Sequence, residues 1–341
     1  MLEDERHGKK SVITRRAFVF KSAIAVAALG AAGISGYSIL NDEKTRLFLN
    51  YHRMGHCAPS VMETLLEMNH IRDHVMVKTA GALAGGIAGP SMECGALTAP
   101  VMFLGYQKGI PEDINDKLMM IKQVQSYYNQ FYHYNGSAVC TNIRDRHDNG
   151  CWKAISGFYD IFMDCSQHPG KLSSEAEDSY FLLLNSFKGN DFHCSHNVLK
   201  KMRSHIDINR DLHGASWPFI GGIAMLNHTC GALAGGVMAL SFSLAGIETS
   251  FFKVARMNKM LKSNDENALS SNINEFNNAI NKGRELGQWF HREFGSTTCL
   301  GICGYNFSQI KDTVKYLSEN CMGKCLLITE QVAAKVESMI L

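Results

Sequence analysis

Eleven cysteines are spread through the 341 residues, and six of them recur in a fixed order. Cys57 follows a histidine in His56-Cys57-Ala58-Pro59-Ser60-Val61, as Cys194 does in His193-Cys194-Ser195-His196-Asn197-Val198. Cys94 and Cys230 sit in GGIAGPSMECGALTAPVMFL (85–104) and GGIAMLNHTCGALAGGVMAL (221–240), which align without a gap and are identical at 11 of 20 positions. Cys140 and Cys299 end Gly136-Ser137-Ala138-Val139-Cys140 and Gly295-Ser296-Thr297-Thr298-Cys299, and Phe131 and Phe290 precede the two glycines by the same interval. The spacing from Cys57 to Cys94 differs by a single position from that between Cys194 and Cys230. Sulfur donors in matched sets of three mark an internal duplication.

No two cysteines stand in C-x-x-C spacing anywhere in the chain. That excludes a thioredoxin-type dithiol, a c-type haem attachment sequence and the usual zinc-knuckle spacing. Disulfides are the simple alternative if the chain works in an oxidising compartment. Two repeats of this size bury enough apolar surface to stand without staples, however. An odd cysteine count also prevents complete pairing within one chain. The recurring cysteines lie among Gly and Ala, which let backbone N–H groups approach a bulky anionic centre. Iron–sulfur clusters take such soft thiolate ligands, usually four. A helix starting just after Cys94 and Cys230 would add its positive end to the same task. Pro100, Gly235 and Gly236 leave its starting point open.

The order of these residues resembles the redox-active proteins named for their C_GCAxxG_C_C cysteine pattern. In that family an opening cysteine precedes "GG…CGALTG", then "FGSxxC", then a last cysteine before an apolar helix. Cys57, Cys94 and Cys140 match in the first copy, and Cys194, Cys230 and Cys299 in the second; Ala99 stands where the family has glycine. The resemblance spans nearly everything after residue 43 and extends to the cluster module of split-Soret cytochromes, without their haem motifs. It implies an iron–sulfur cluster, 2Fe–2S or 4Fe–4S, in each repeat. For the fourth ligand it favours Cys151 over Cys165 in the first copy and Cys325 over Cys321 in the second. The spacings from the third cysteine disagree, the stretch from Cys299 to Cys325 being more than twice that from Cys140 to Cys151. Cys299, Cys303, Cys321 and Cys325 form C-x-x-x-C twice and are an alternative quartet, which would leave Cys194 and Cys230 for another role.

The elements that must position these donors read as helical. After Cys57, Val61, Leu65 and Met68 share a face. Pro111-Glu112-Asp113 opens a helix that carries Leu118, Ile121, Val124, Tyr128 and Phe131. Ile273, Phe276, Ile280, Trp289 and Phe290 answer it in the second copy. The expected fold is all-α: two tandem homologous helical domains, 43–168 and 188–341, joined by a polar linker at 169–187. Gly85-Gly86 and Gly221-Gly222 are not phosphate loops, because no G-x-x-x-x-G-K-[ST] follows, and are expected where helices approach closely. His56, His193 and His228 stand next to cysteines and are expected as hydrogen-bond donors to sulfur or as solvent-facing groups. The 17 methionines read as core filling.

Residues 1–42 are a separate segment. Arg15-Arg16 precede an uncharged Ala/Gly-rich run at 22–40, which resembles a twin-arginine export signal, cleaved or retained as a membrane anchor. Basic residues outnumber acids in the stretch before that run, so the small net charge of +2 leaves the remainder close to neutral. No basic face points to nucleic acid. The sequence therefore leads to an exported iron–sulfur electron carrier, periplasmic or on the outer face of the cytoplasmic membrane. Its expected partners are a redox protein, such as a membrane-bound respiratory component, and the twin-arginine export machinery; a homo-oligomer is compatible with it. Two rival readings are a cluster- or thiolate-dependent reductase, using Cys303 or Cys165 as a free thiolate, and a disulfide-stabilised binding module.

Overall fold

The computed structural model describes residues 42–341, except 90, 147–149, 190–191, 204–205, 248 and 264. The expected signal or anchor, with Arg15 and Arg16, lies outside the described residues. Among the described residues no helix is long and apolar enough to cross a membrane.

The first repeat comprises α1 (Glu43–Met54), α2 (Cys57–Met68), α3 (His74–Ala80), α4 (Gly95–Lys108), α5 (Ile114–Asn135), α6 (Cys140–Arg146) and α7 (Gly150–Gln167). The second comprises α8 (Ser174–Gly189), α9 (Cys194–Met202), α10 (Arg210–Ser216), α11 (Gly231–Leu244), α12 (Phe251–Lys262), α13 (Asn277–Phe294), α14 (Cys299–Cys303), α15 (Ile310–Ser318) and α16 (Cys321–Ile340). No strand is formed among the described residues beyond two isolated bridges. Helix ends follow local chemistry: the Asp113 carboxylate accepts from Asp116 N at 2.9 Å to start α5, and Gly136 in the left-handed region ends it.

The correspondence between repeats is positional. The offset that carries Cys94 onto Cys230 also carries α3 onto α10 and α4 onto α11. The second repeat adds α12, packed on α1, and α15, which lies between its third and fourth candidate ligands. That extra helix accounts for the unequal spacings seen in the sequence. The stretch 169–187, expected as a linker, is helical from Ser174 onward. Tyr180, Leu183, Leu184 and Phe187 of α8 are buried, so its polar start is only the first turn of a packed helix.

Helices α4 and α11 form the centre, buried on all sides from their starts through Gly105 and Ser241, as expected for helices lacking a polar face. Pro100 lies inside α4 and cannot donate to the carbonyl of Ala96. The Tyr127 hydroxyl of α5 donates to that oxygen instead, at 3.0 Å, so the buried carbonyl remains satisfied. The repeats exchange their short helices: α3 packs on α11, and α10 packs on α4. In the first contact Ser241 Oγ accepts from Ala82 N at 2.8 Å and donates to Lys78 O. In the second, Gly105 replaces the serine, and a Cβ there would lie 2.3 Å from Gly214 O. The two repeats therefore share one core.

Candidate metal centres

Each repeat brings its cysteines together at helix starts. Cys57 and Cys194 are the first residues of α2 and α9, Cys94 and Cys230 are the N-caps of α4 and α11, and Cys140 and Cys299 open α6 and α14. The second and third cysteines of each set are held side by side by an isolated antiparallel bridge, Glu93 with Val139 and Thr229 with Thr298. Cys94 N donates to Ala138 O at 2.8 Å, and Cys140 N to Met92 O at 2.9 Å. Cys230 N donates to Thr297 O at 2.9 Å, and Cys299 N to His228 O at 2.7 Å. Backbone pairing thus fixes two donors that a long helix separates in sequence.

The first cysteine reaches this pair through glycine. A Cβ on Gly95 would lie 2.7 Å from Cys57 Sγ, and one on Gly231 would lie 2.3 Å from Cys194 Sγ. The glycine of the "CG" motif is therefore the surface on which the first sulfur rests. Gly85 and Gly221 N–H groups hydrogen-bond the Cys57 and Cys194 sulfurs, together with amides of the helix starts themselves. The glycine pairs at 85–86 and 221–222, expected at helix–helix approaches, instead lie in positive-φ loops that wrap the sulfurs. A Cβ on Gly222 would lie 2.7 Å from Cys299 Cβ. Neither composition nor period signals this; the clue is that both pairs precede their cysteines by the same interval.

In the first repeat the Cys94 thiol donates to Cys57, lowering the Cys57 pKa to about 7 and raising that of Cys94. Burial pushes the Cys140 thiol up to about 12, with further repulsion from Cys57 and Cys151. Cys151, the second residue of α7, is exposed and close enough for that repulsion. Arg144 and Arg284 act on Cys140 in the opposite direction.

In the second repeat Cys194, Cys230, Cys299, Cys303 and Cys325 line one cavity, walled by Phe187, Phe192, Ile302, Phe307, Tyr316 and Ile328. Burial raises the Cys194 and Cys230 thiols, and brings Cys325 to about 12 despite a hydrogen bond from the Tyr316 hydroxyl at 3.5 Å. Cys299 donates to Cys303, one turn along α14, so Cys299 is raised and Cys303 lowered. Cys321 begins α16, half-buried, and feels Cys303 without lining the cavity. Three members of the alternative quartet, Cys299, Cys303 and Cys325, thus share a cavity with Cys194 and Cys230. Cys165 stands apart, about 21 Å along α7 from Cys151 by helical rise, and accepts from Ser126 Oγ at 3.6 Å.

The histidines next to the cysteines are occupied by protein. His56 Nε2 is 2.8 Å from Asn277 Oδ1, and His193 Nε2 is 3.1 Å from Trp217 O. His228 stacks on Tyr128 and lies 3.6 Å from the buried carboxylate of Glu93. That carboxylate also accepts from the Thr229 hydroxyl and backbone N–H. Glu93 and Thr229 precede the second cysteine of each set, so this contact links the two cysteine sets.

The donor sets fit a polynuclear iron–sulfur centre. Amides at the starts of α2, α4, α9 and α11 turn toward the sulfurs, which favours anionic charge. Burial and mutual repulsion nevertheless keep most of these thiols protonated on their own, and that balance reverses when a metal cation is coordinated. Among the described residues no group of three or more His, Cys, Asp or Glu is arranged to hold a single metal ion. Thiolates bound to different irons of one cluster stand farther apart than ligands of one ion. Among the described residues no disulfide is formed.

The family model described as "Putative redox-active protein (C_GCAxxG_C_C)" matches residues 55–165 and again 192–339. The chain belongs to this family. Both C_GCAxxG_C_C units contain a complete helix-start cysteine set, and their shared character is redox activity through a cysteine motif. No curated protein and no solved structure matches the chain.

Proposed function

We propose that this C_GCAxxG_C_C protein is an exported electron carrier with one iron–sulfur centre per repeat. The ligands would be Cys57, Cys94, Cys140 and Cys151 in the first repeat, and Cys194, Cys230, Cys299 and Cys325 in the second. The observation that carries this reading is the bridge-paired second and third cysteine with the first sulfur laid on the following glycine, built twice from the same parts. A bound cluster would supply one-electron chemistry. The chain's own part is to hold thiolates, to direct amide N–H groups of Gly85, Gly221 and the helix starts at them, and to exclude water. In the second repeat Phe187, Phe192, Phe307 and Tyr316 do the last of these. Export through the twin-arginine route, from Arg15-Arg16 and the run at 22–40, would place the protein at the outer face of the cytoplasmic membrane, with or without a retained anchor. A membrane-bound respiratory protein is the fitting partner there.

The test is iron and acid-labile sulfide content of anaerobically purified protein, with paramagnetic resonance of the reduced form. Iron and sulfide in both repeats are expected. A colourless, iron-free protein with intact thiols rejects the proposal.

Cys303 supports a second reading. It is a fifth sulfur on the second cavity, its pKa is lowered, and the first repeat has no counterpart. As a free thiolate beside the centre it would serve a reductase. Cys303→Ser should then abolish substrate reduction while the visible spectrum persists; in an electron carrier, electron transfer to a partner protein and the spectrum both persist.

A further inference from the structure

Arg284 belongs to α13 of the second repeat, yet its guanidinium lies against the first repeat's Gly85 loop. A Cβ on Gly85 would lie 3.2 Å from Arg284 Nη2, and the Gly85 N–H is a donor to the Cys57 sulfur. Cys140 and Arg284 feel each other's charge. Arg284 Nε is buried and has no hydrogen-bond partner among the described residues. An idle donor buried on a half-buried guanidinium is costly unless an anion faces it.

The matching position in the first repeat carries no charge. The offset that relates Phe131 to Phe290 and Cys140 to Cys299 also relates Gln125 to Arg284. Gln125 also crosses to the opposite repeat, where its Nε2 donates to Ala224 O at 2.7 Å and to the Tyr180 hydroxyl at 3.1 Å. It is neutral and held by protein. Lys324 is the nearby cation of the second centre; it donates to Ile302 O at 3.0 Å and acts on Cys303 and Cys321. No cation is among the main groups felt by Cys194, Cys230, Cys299 or Cys325.

Arg144, the other cation acting on Cys140, is already ion-paired with Asp145 at 2.8 Å. We propose that Arg284, unpaired among the described residues, is the counter-charge of the first centre and sets its reduction potential above that of the second, so that an electron entering through the second repeat settles in the first. The inference rests on the iron–sulfur reading above. Adding an electron adds negative charge, and a fixed cation in a partly dry site stabilises that charge more than a neutral amide does. The transfer balances as one electron lost by the second centre and one gained by the first. A one-electron donor protein restores the second centre, and an acceptor protein drains the first.

The experiment is a mediated redox titration of the full chain, followed by paramagnetic resonance, for the wild type, Arg284→Gln and Arg284→Lys. The wild type is expected to titrate in two separate one-electron steps. Arg284→Gln, which copies the Gln125 side, should move the upper step down toward the lower one and leave the lower in place. The expected shift is about tenfold or more in how electrons divide between the centres, the size of one charge pair at intermediate dielectric. Arg284→Lys should keep the steps apart. A single step in the wild type overturns the inference, as does an Arg284→Gln protein whose steps both stay or move together. Absence of iron from the wild type instead defeats the underlying reading. Should Arg284→Gln fail to fold, the wild type and Arg284→Lys still decide, since merged steps in either reject the role of the charge.

Discussion

The first candidate centre is cationic and open at one corner: Cys151 is exposed, and Arg144 and Arg284 act on Cys140. The second is apolar, with five sulfurs on a cavity walled by Phe187, Phe192, Phe307 and Tyr316. Both use the same backbone plan of paired bridge, sulfur on glycine and helix-start amides. The duplicated sequence therefore preserves the geometry that gathers donors, while the surroundings have diverged in charge, lining and sulfur number. Within one shared core, those are the properties by which a protein adjusts potential and access.

The largest test of this comparison removes one donor from each side. Cys94→Ser and Cys230→Ser are each expected to lose about half the bound iron, one centre's worth, and the double variant all of it, by metal analysis. Complete loss from either single variant would show that the centres do not form independently.

Next is the glycine beneath the first sulfur. A Cβ on Gly231 would meet Cys194 Sγ at 2.3 Å and Phe219 O at 2.5 Å, against 2.7 Å from Cys57 Sγ and 3.0 Å from Leu83 O for Gly95. Both alanine variants should be destabilised by about 1–3 kcal/mol through overpacking, Gly231→Ala more than Gly95→Ala. Urea unfolding of the metal-free protein measures this. Equal costs would mean that the two sulfurs are seated alike.

The contact that joins the centres comes third. Thr229→Val leaves the buried Glu93 carboxylate without that residue's hydroxyl and should cost about 1–3 kcal/mol in chemical denaturation. Replacing Glu93 by Leu in the same chain should recover much of it, because an apolar pair removes the buried charge.

The smallest effect concerns pH. His213 of α10 occupies the position of Val77 in α3 and is buried at 3% exposure. Burial, then Arg203 and Lys200, lowers its pKa from 6.5 to about 4. The unfolded chain therefore binds the proton first: stability is full above pH 6.5 and is lost as pH falls through that window. His213→Val, the first repeat's own residue, should flatten this acid limb when urea midpoints at neutral and mildly acidic pH are compared. An unchanged slope would assign the acid sensitivity elsewhere.

Much of this is legible in the sequence. Val61 and Leu65 after Cys57, and Leu118 through Phe131 after Asp113, carry a helical period because each helix has one face to bury. The helix starts at Gly95 and Gly231 were less clear, since Pro100 and the Gly235-Gly236 pair are poor helix formers. Burial on all sides, with the Tyr127 hydroxyl capping Ala96 O, overrides those local preferences. The stretch 169–187 reads as a linker from its polar first residues, whereas its apolar residues, helical from Ser174 onward, find their partners in α15 and α5, far along the chain.

The sequence by itself determined the duplication, the helical class and the three matched cysteines of each repeat, because spacing and residue type are local properties that survive in a linear record. Tertiary structure alone decided that Gly85 and Gly221 cradle sulfur, that Cys303 joins the second cavity, and that Arg284 and Gln125 each cross to the other repeat. Those facts depend on which distant surfaces pack together, and no periodicity along one chain records the neighbours that another helix will supply.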